Sequence, residues 1–318
     1  MVAFGWPRFQ SSLKQSRREE SRTEFSKICF AVKAKCFIIL LSRPAMFVKS
    51  DPKSSLIFRN SVVRRILSIA KNTFREAVRD RVLYNLVLFV LLLTACAILL
   101  GDLTDGQEAR TIINIGLNAM LLFGAFIAIF VGVGLVSKEI EKRTVFAVFS
   151  KPVRRSEFVI GKYLGLCLTL LVNVAVMGIG VTLALVYVGG GSMAMTIWGG
   201  IFLIFLELSI LTAVAIVFSS FSSPALSALL TFFVFIIGHL SSSLRDLAAA
   251  LGSKSAIYFF DFIYYLLPNL ANYSFRTESA NGMFPNGPMF IGGILYALVY
   301  TTILLTATIV IFSRRNFK

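Results

Sequence analysis

Six apolar runs, at residues 82–100, 115–136, 158–188, 197–218, 224–240 and 289–312, constrain this chain more than any other feature. A helix crosses the roughly 30 Å hydrocarbon core of a bilayer in about 20 residues, and each run is close to that length or longer. The runs are continuous mixtures of Leu, Ile, Val, Phe and Ala, without the period-two alternation of barrel strands. In lipid every backbone donor and acceptor must be satisfied inside its own segment, so such runs cross as helices. Composition agrees: 57% of residues are hydrophobic and only 15% charged, with a mean hydropathy of +0.80, where a soluble domain carries about a quarter charged residues. The expected fold is an all-α polytopic membrane protein with six transmembrane helices.

An even number of spans places both termini on one side, and the basic residues say which. Lys and Arg outnumber Asp and Glu by 18 to 6 before the first span, by 7 to 3 in residues 137–163 and by 3 to none after the last span, whereas the remaining polar segments hold 4 against 6. Positive residues flanking spans are retained in the cytoplasm, so the termini and residues 137–163 are expected there. A pI near 10 taken alone suggests nucleic acid, but charge sorted by membrane side is accounted for by topology, and no nucleic-acid partner is expected. Of the four cysteines, Cys29 and Cys36 fall on the cytoplasmic side and Cys96 and Cys167 within spans, which implies no disulfide framework. One histidine, His239, and no close grouping of Cys, His and carboxylate argue against a metal site.

Residues 1–60 are Ser- and Arg-rich, with an apolar stretch at 36–41 too short to span. They are expected to be largely disordered, or to reflect an over-long start upstream of the more regular sequence that opens at Met46. No apolar core followed by a small-residue cleavage site marks a signal peptide. Over residues 61–81 Val63, Ile66, Leu67, Ala70, Phe74, Ala77 and Val78 recur at helical spacing, opposite Arg64, Lys71, Arg75 and Arg79. This is an amphipathic helix leading into the first span. Two compatible readings stand for it: a helix floating at anionic headgroups, and a docking surface for a partner.

Residues 137–163 read SKEIEKRTVFAVFSKPVRRSEFVIGKY, a charged island between two spans. Its first part extends the second span, with Glu139 and Arg143 four apart on one helix face. Lys151–Pro152 stops that helix, since proline lacks a donor and restricts the residue before it, and Ser156 is placed to cap the next helix, which enters the bilayer through Gly161 and Lys162. The outcome is a helical hairpin presenting Val145, Phe146, Val148 and Phe149 inside a rim of Lys142, Arg143, Lys151, Arg154 and Arg155. An ordinary positive-inside loop would explain the basic residues; the aromatic patch within a charged rim points to a protein contact.

The stretch KEIEKRTVFAVFSKPVRRSEFVIGKYLG resembles the cytoplasmic loop of ABC type-2 permeases, the membrane subunits of ABC transporters that carry no ATPase domain of their own. FREAVRDRVLYNLVLFVLL, from Phe74, is similar to that family's approach to its first span, and YYLLPNLANYSF, from Tyr264, to its outer segment before the last span. The likeness covers about residues 62–318, and residues 1–45 have no counterpart in it. The resemblance implies a permease subunit of an ATP-driven transporter, of exporter type, in a bacterial inner membrane. It also implies a coupling helix within residues 138–157 that sits in a groove of a separate nucleotide-binding subunit, with Lys138, Glu139, Glu141, Lys142, Arg143, Phe146, Phe149, Lys151, Pro152, Arg154, Arg155 and Glu157 in that role. Two permease subunits, identical or different, would pair through the faces of the first and fifth spans, and ATP and Mg²⁺ would bind the partner ATPase. The chain itself contains no G-x-x-x-x-G-K-[ST] phosphate loop, so no cofactor and no catalysis are expected on it.

The outer segment, residues 241–288, combines a helical part at 244–251 with aromatic residues at 258–265. It reads either as short helices anchored in the interface by an aromatic belt or as a gate. Pro268–Asn269 would end the dipping helix, and residues 281–288 would form a flexible link. Glu207 is the one carboxylate deep in a span, where ionisable groups are costly. It reads either as a substrate or proton site or as a protonated residue bonded to a neighbouring helix, while His239 reads as a surface histidine ending the fifth span. A self-contained secondary transporter using Glu207 and a non-transport membrane scaffold are the competing functional classes. The first should show several intramembrane charges or matched broken halves, and only Glu207 answers to that.

Overall fold

A computed structural model describes residues 52–78, 88–89, 92, 108–141, 154–251, 267–283 and 287–314. The chain divides into two units, residues 1–55 and 56–318; of the first, only the helical backbone of 52–55 is described, so the expectation for the N-terminal extension lies outside the described residues. The described elements are α1 (Pro52–Ala77), α2 (Glu108–Glu141), α3 (Arg155–Tyr187), a 3₁₀ turn (Gly191–Met193), α4 (Ala194–Ser219), α5 (Pro224–Leu251), a second 3₁₀ turn (Leu270–Tyr273), α6 (Arg276–Ala280) and α7 (Gly287–Arg314). Among the described residues four helices are long and apolar enough to cross a membrane: α2 over Glu108–Gly134, α3, α4 and α7; the apolar part of α5, Pro224–Leu240, is shorter. Of the expected first span only Leu88, Phe89 and Leu92 are described, all helical, with Phe89 fully buried and its ring edge-on to Phe123 of α2 at 5.8 Å.

The helix ends follow from local chemistry. Glu108 places a carboxylate on the positive end of α2. After Val188 closes α3, Gly189 takes the left-handed conformation (φ +86°) that a side chain disfavours. Its N–H donates to Val186 O and the N–H of Gly190 to Leu185 O, a Schellman closure. Pro224 opens α5 at a position where its missing N–H costs nothing, just after a serine turn in which the hydroxyls of Ser222 and Ser227 lie 2.6 Å apart.

Helix α4 is the axis of the bundle. It is apolar on all sides and buried along most of its length, packing against α2, α3, α5 and α7, as expected of a helix that faces protein all round. One core forms where α2, α3 and α4 meet, around Leu117, Met120, Leu170, Met177, Ile204 and Leu208. A second joins Ala77, Phe158, Leu166, Ile216 and Phe312 at the end where α3 begins and α7 finishes. A third lies toward the opposite end, joining Leu203, Leu206 and Ile210 to Leu270, Tyr273 and Phe275. The first of these two ends carries Arg64, Arg65, Arg75 and Arg155 and is called the basic end below.

Two expected boundaries shift. The amphipathic helix starts at Pro52 rather than 61, and the fifth helix continues to Leu251 rather than stopping at 240. No Gly or Pro follows Gly238 until Gly252, so nothing breaks the helix when its composition turns polar, and the expected helical part at 244–251 is the continuation of α5.

Candidate functional site

The residues assigned to partner coupling are distributed unevenly. Lys138, Glu139 and Glu141 lie on the helical backbone of α2, which runs past its apolar stretch to Glu141. Lys142, Arg143, Phe146, Phe149, Lys151 and Pro152 lie outside the described residues. Arg154, Arg155 and Glu157 stand at the start of α3, and there the description is detailed.

Arg154 is extended (φ −73°, ψ 146°) and exposed, and the helix begins at Arg155. Ser156 therefore sits inside the first turn and does not cap it; no side chain bonds to the cap position. Instead Glu157 supplies the negative charge that the first turn favours. The Arg155 guanidinium turns to the neighbouring helix, its Nη1 donating to Phe312 O at 2.5 Å and Ser313 O at 3.1 Å. It thus satisfies carbonyls at the C-terminal end of α7 that have no partner within their own helix. Glu157 is buried (4% exposed) and faces α1, with Oε2 3.6 Å from Arg65 Nη1. One turn on, Lys162 is also buried (2% exposed), with Nζ 3.7 Å from Glu76 Oε2.

These ion pairs bracket a close helix crossing. A Cβ on Gly161 would stand 2.8 Å from Ile69 Cβ, and one on Gly165 would stand 2.6 Å from the carbonyl oxygen of Ala70. Gly161 and Gly165 form a G-x-x-x-G face that lets α1 approach almost to backbone contact, and α1 answers with buried Ala70, Thr73 and Ala77. The expected apolar face of α1 is thereby split. Its small residues seat on α3, while Val63 and Leu67 stay exposed and available to lipid; a helix lying only on the headgroups would need no such stripe. Arg65, Glu76, Thr73 and Gly165 were outside the expected set, although the four-residue glycine spacing was a readable signal.

The second polar site lies midway along α4. Glu207 is buried (1% exposed), and its Oε1 is 3.1 Å from Nε2 of His239 on α5, without the alignment of a full hydrogen bond. His239 stands at the end of the apolar stretch of α5, as expected, but it is not a surface residue. It lies inside the continuous α5 helix, half-buried, with Nδ1 3.2 Å from Phe235 O and its ring 4.7 Å from the Phe235 ring. The partner of Glu207 comes from the antiparallel register of α4 and α5, which no local pattern reveals.

Above this pair sits residues 268–280, a cap set among four helices. A Cβ on Gly238 would lie 2.9 Å from Leu270 Cγ and from Pro268 O, and one on Gly200 would lie 2.7 Å from Ser279 Oγ. Tyr273 Oη donates to Gly293 O of α7 at 2.7 Å, the N–H of Asn269 donates to Tyr296 Oη at 3.0 Å, and Arg276 Nη1 donates to Asn118 Oδ1 of α2 at 2.8 Å. Burial pushes the Tyr273 phenol above its ordinary value, with Tyr296 and Glu207 adding to it, so it remains a donor. Pro268–Asn269 is irregular, while the aromatic stretch before it and the expected dipping helix fall outside the described residues. Among the described residues no group of three or more His, Cys, Asp or Glu could hold a metal ion.

Residues 67–317 match the family model described as ABC-2 family transporter protein. No curated protein matches the chain.

Proposed function

The chain belongs to the ABC-2 family of transporter proteins and is the membrane-spanning permease component of an ABC transporter, and from that premise we propose that it exports its substrate under the drive of a separate ATPase subunit. That subunit holds ATP and Mg²⁺ and docks on residues 137–157. Two permease chains, identical or different, pair through the first and fifth spans and form the path between them, in a bacterial inner membrane with the basic end cytoplasmic. The exposed Leu226, Leu229 and Phe233 of α5 fit such a pairing.

One observation carries this reading: the start of α3 is tied to both of its neighbours. Arg155 holds the end of α7, Glu157 and Lys162 hold α1, and Gly161 and Gly165 lock α1 against α3. Any force applied to residues 142–153 reaches α3 directly and carries α1 and α7 with it, because close-packed helices move as units rather than deform continuously. The aromatic patch of Phe146 and Phe149 supplies the apolar anchor and the surrounding Lys and Arg the rim.

The test is co-purification of the full chain with the ATPase encoded beside it. Phe146→Asp and Phe149→Asp should abolish the complex while the chain still inserts; retention of the complex by both would overturn the docking assignment.

A further inference from the structure

Glu207 and His239 are a carboxylate and an imidazole that meet inside the bundle, and their contact has a specific proton requirement. The Phe235 carbonyl can only accept, so the imidazole Nδ1 carries a hydrogen and donates to it. That leaves Nε2 facing Glu207 Oε1 at 3.1 Å, with both atoms buried and neither hydrogen-bonded elsewhere. Between these atoms one proton is favourable wherever it resides, on the carboxyl or on the imidazole. With none, two lone pairs confront each other; with two, the Nε2–H faces a neutral carboxyl, a weaker acceptor than a carboxylate. We propose that Glu207 and His239 form a one-proton binding site that latches α4 to α5 beneath the outer cap, and that uptake of a second proton releases the cap.

The surroundings decide the direction. Among the described residues, Arg276 of α6 lies within electrostatic reach of both members and Tyr273 within reach of Glu207. Tyr296 and Tyr300 of α7 stack behind Tyr273. Tyr163 of α3, beside Cys167 of the same helix, meets α4 farther down, where Tyr163 Oη donates to Ser209 O. Helix α2 contributes neutral Asn118, with Glu108 and Arg110 at its tip, and Glu278 of α6 is exposed. With one proton the pair is neutral overall beside the Arg276 cation. A second proton leaves an imidazolium next to that cation, adding repulsion to a weakened tie, whereas loss of the shared proton leaves a carboxylate that Arg276 still attracts. Acid, rather than alkali, is therefore the releasing condition.

The cap registers the change because its seat is adjacent. Gly238, against which Leu270 and Pro268 pack, immediately precedes His239, and Ser279 rests on Gly200, on the same side of α4 as Glu207 two turns away. Loosening α5 from α4 at His239 opens the pocket that holds the cap.

Labelling with a membrane-impermeant maleimide tests this on the full-length chain in native membranes, with the four native cysteines replaced and a single cysteine at Ser279→Cys, a buried position. Gly191→Cys, on an exposed turn, corrects for the pH dependence of the thiol itself. The Ser279→Cys rate, relative to that control, should rise several-fold between about pH 7.5 and about pH 5, the range in which histidine changes charge. In the Glu207→Gln, His239→Gln double variant the ratio should lose its pH dependence. Glu207→Asp, which keeps the carboxyl, should retain a pH response at a shifted midpoint and serves if the double variant does not insert. A ratio flat with pH in the parent chain, or an unchanged profile in the double variant or, where that does not insert, in Glu207→Asp, would overturn the proposal.

Discussion

The two ends of the bundle are held together by different means. At the basic end α1 lies along α3 over a continuous face, with Gly161 and Gly165 against Ala70 and Thr73 and an ion pair on either side, Arg65–Glu157 and Glu76–Lys162. At the other end the cap is held at separate points: Leu270 on Gly238, Ser279 on Gly200, Tyr273 on the Gly293 carbonyl and Arg276 on Asn118. A continuous helix–helix face resists relative motion along its whole length, since any displacement disturbs close packing everywhere at once. Point contacts can be lost one at a time. The difference fits the rigid transmission proposed for the basic end and the local opening proposed for the cap.

Glycine substitution should separate the two ends most strongly. At Gly165 the obstacle is backbone, the Ala70 carbonyl oxygen at 2.6 Å, so Gly165→Leu cannot be accommodated by a side-chain rotation. It should cost on the order of 3 kcal/mol or more, read as a large drop in the melting temperature of the detergent-solubilised chain. Gly238→Ala at the cap meets the flexible Leu270 as well as Pro268 O and should cost about 1–2 kcal/mol. An equal loss for both would erase the distinction between the ends.

Polar substitutions sharpen it on a smaller scale. Glu157→Gln leaves Arg65 without its buried carboxylate; because Arg65 is a third exposed, water repays part of the loss and about 1–2 kcal/mol remains. Added salt should narrow the gap between parent and variant. Tyr273→Phe removes one neutral hydrogen bond and should cost about 1 kcal/mol, independent of salt. Burial raises the Tyr273 phenol above its unfolded value. Its contribution is therefore complete below about pH 10, the ordinary tyrosine value, and is lost only as pH climbs through the raised one. The Tyr273→Phe cost should stay constant across neutral pH. A salt-sensitive Tyr273→Phe and a salt-insensitive Glu157→Gln would invert the comparison.

The apolar runs made α2, α3, α4 and α7 legible, because twenty consecutive apolar residues satisfy the bilayer whatever their neighbours do. Helix ends were less so. The α5 helix continues past its apolar stretch, since a change of composition does not stop a helix that meets no Gly or Pro, and Ser156 lost the cap position because the helix starts two residues earlier than that cap requires. The inward turn of Arg155 and Glu157 was hidden because Arg155 reads as part of a charged rim and Glu157 as a coupling residue; their partners, the α7 carbonyls and Arg65, are distant in sequence. The α1–α3 crossing is written in the Gly161–Gly165 spacing, although Gly161 by itself reads only as a point of membrane entry. The pairing of Glu207 with His239 was not legible at all, because it depends on where two antiparallel helices stand relative to each other, set by the length of the serine turn and the packing of α4 against α5.

The proposed contact of residues 137–157 with an ATPase is tested most directly by a photo-crosslinkable residue at Phe146. Irradiated in cells, the full-length chain should give an adduct containing the soluble ATPase subunit, and the same probe at Met195, exposed in the first turn of α4 at the opposite end, should give none. The absence of an ATPase adduct at position 146, or an equal yield at position 195, would contradict the account.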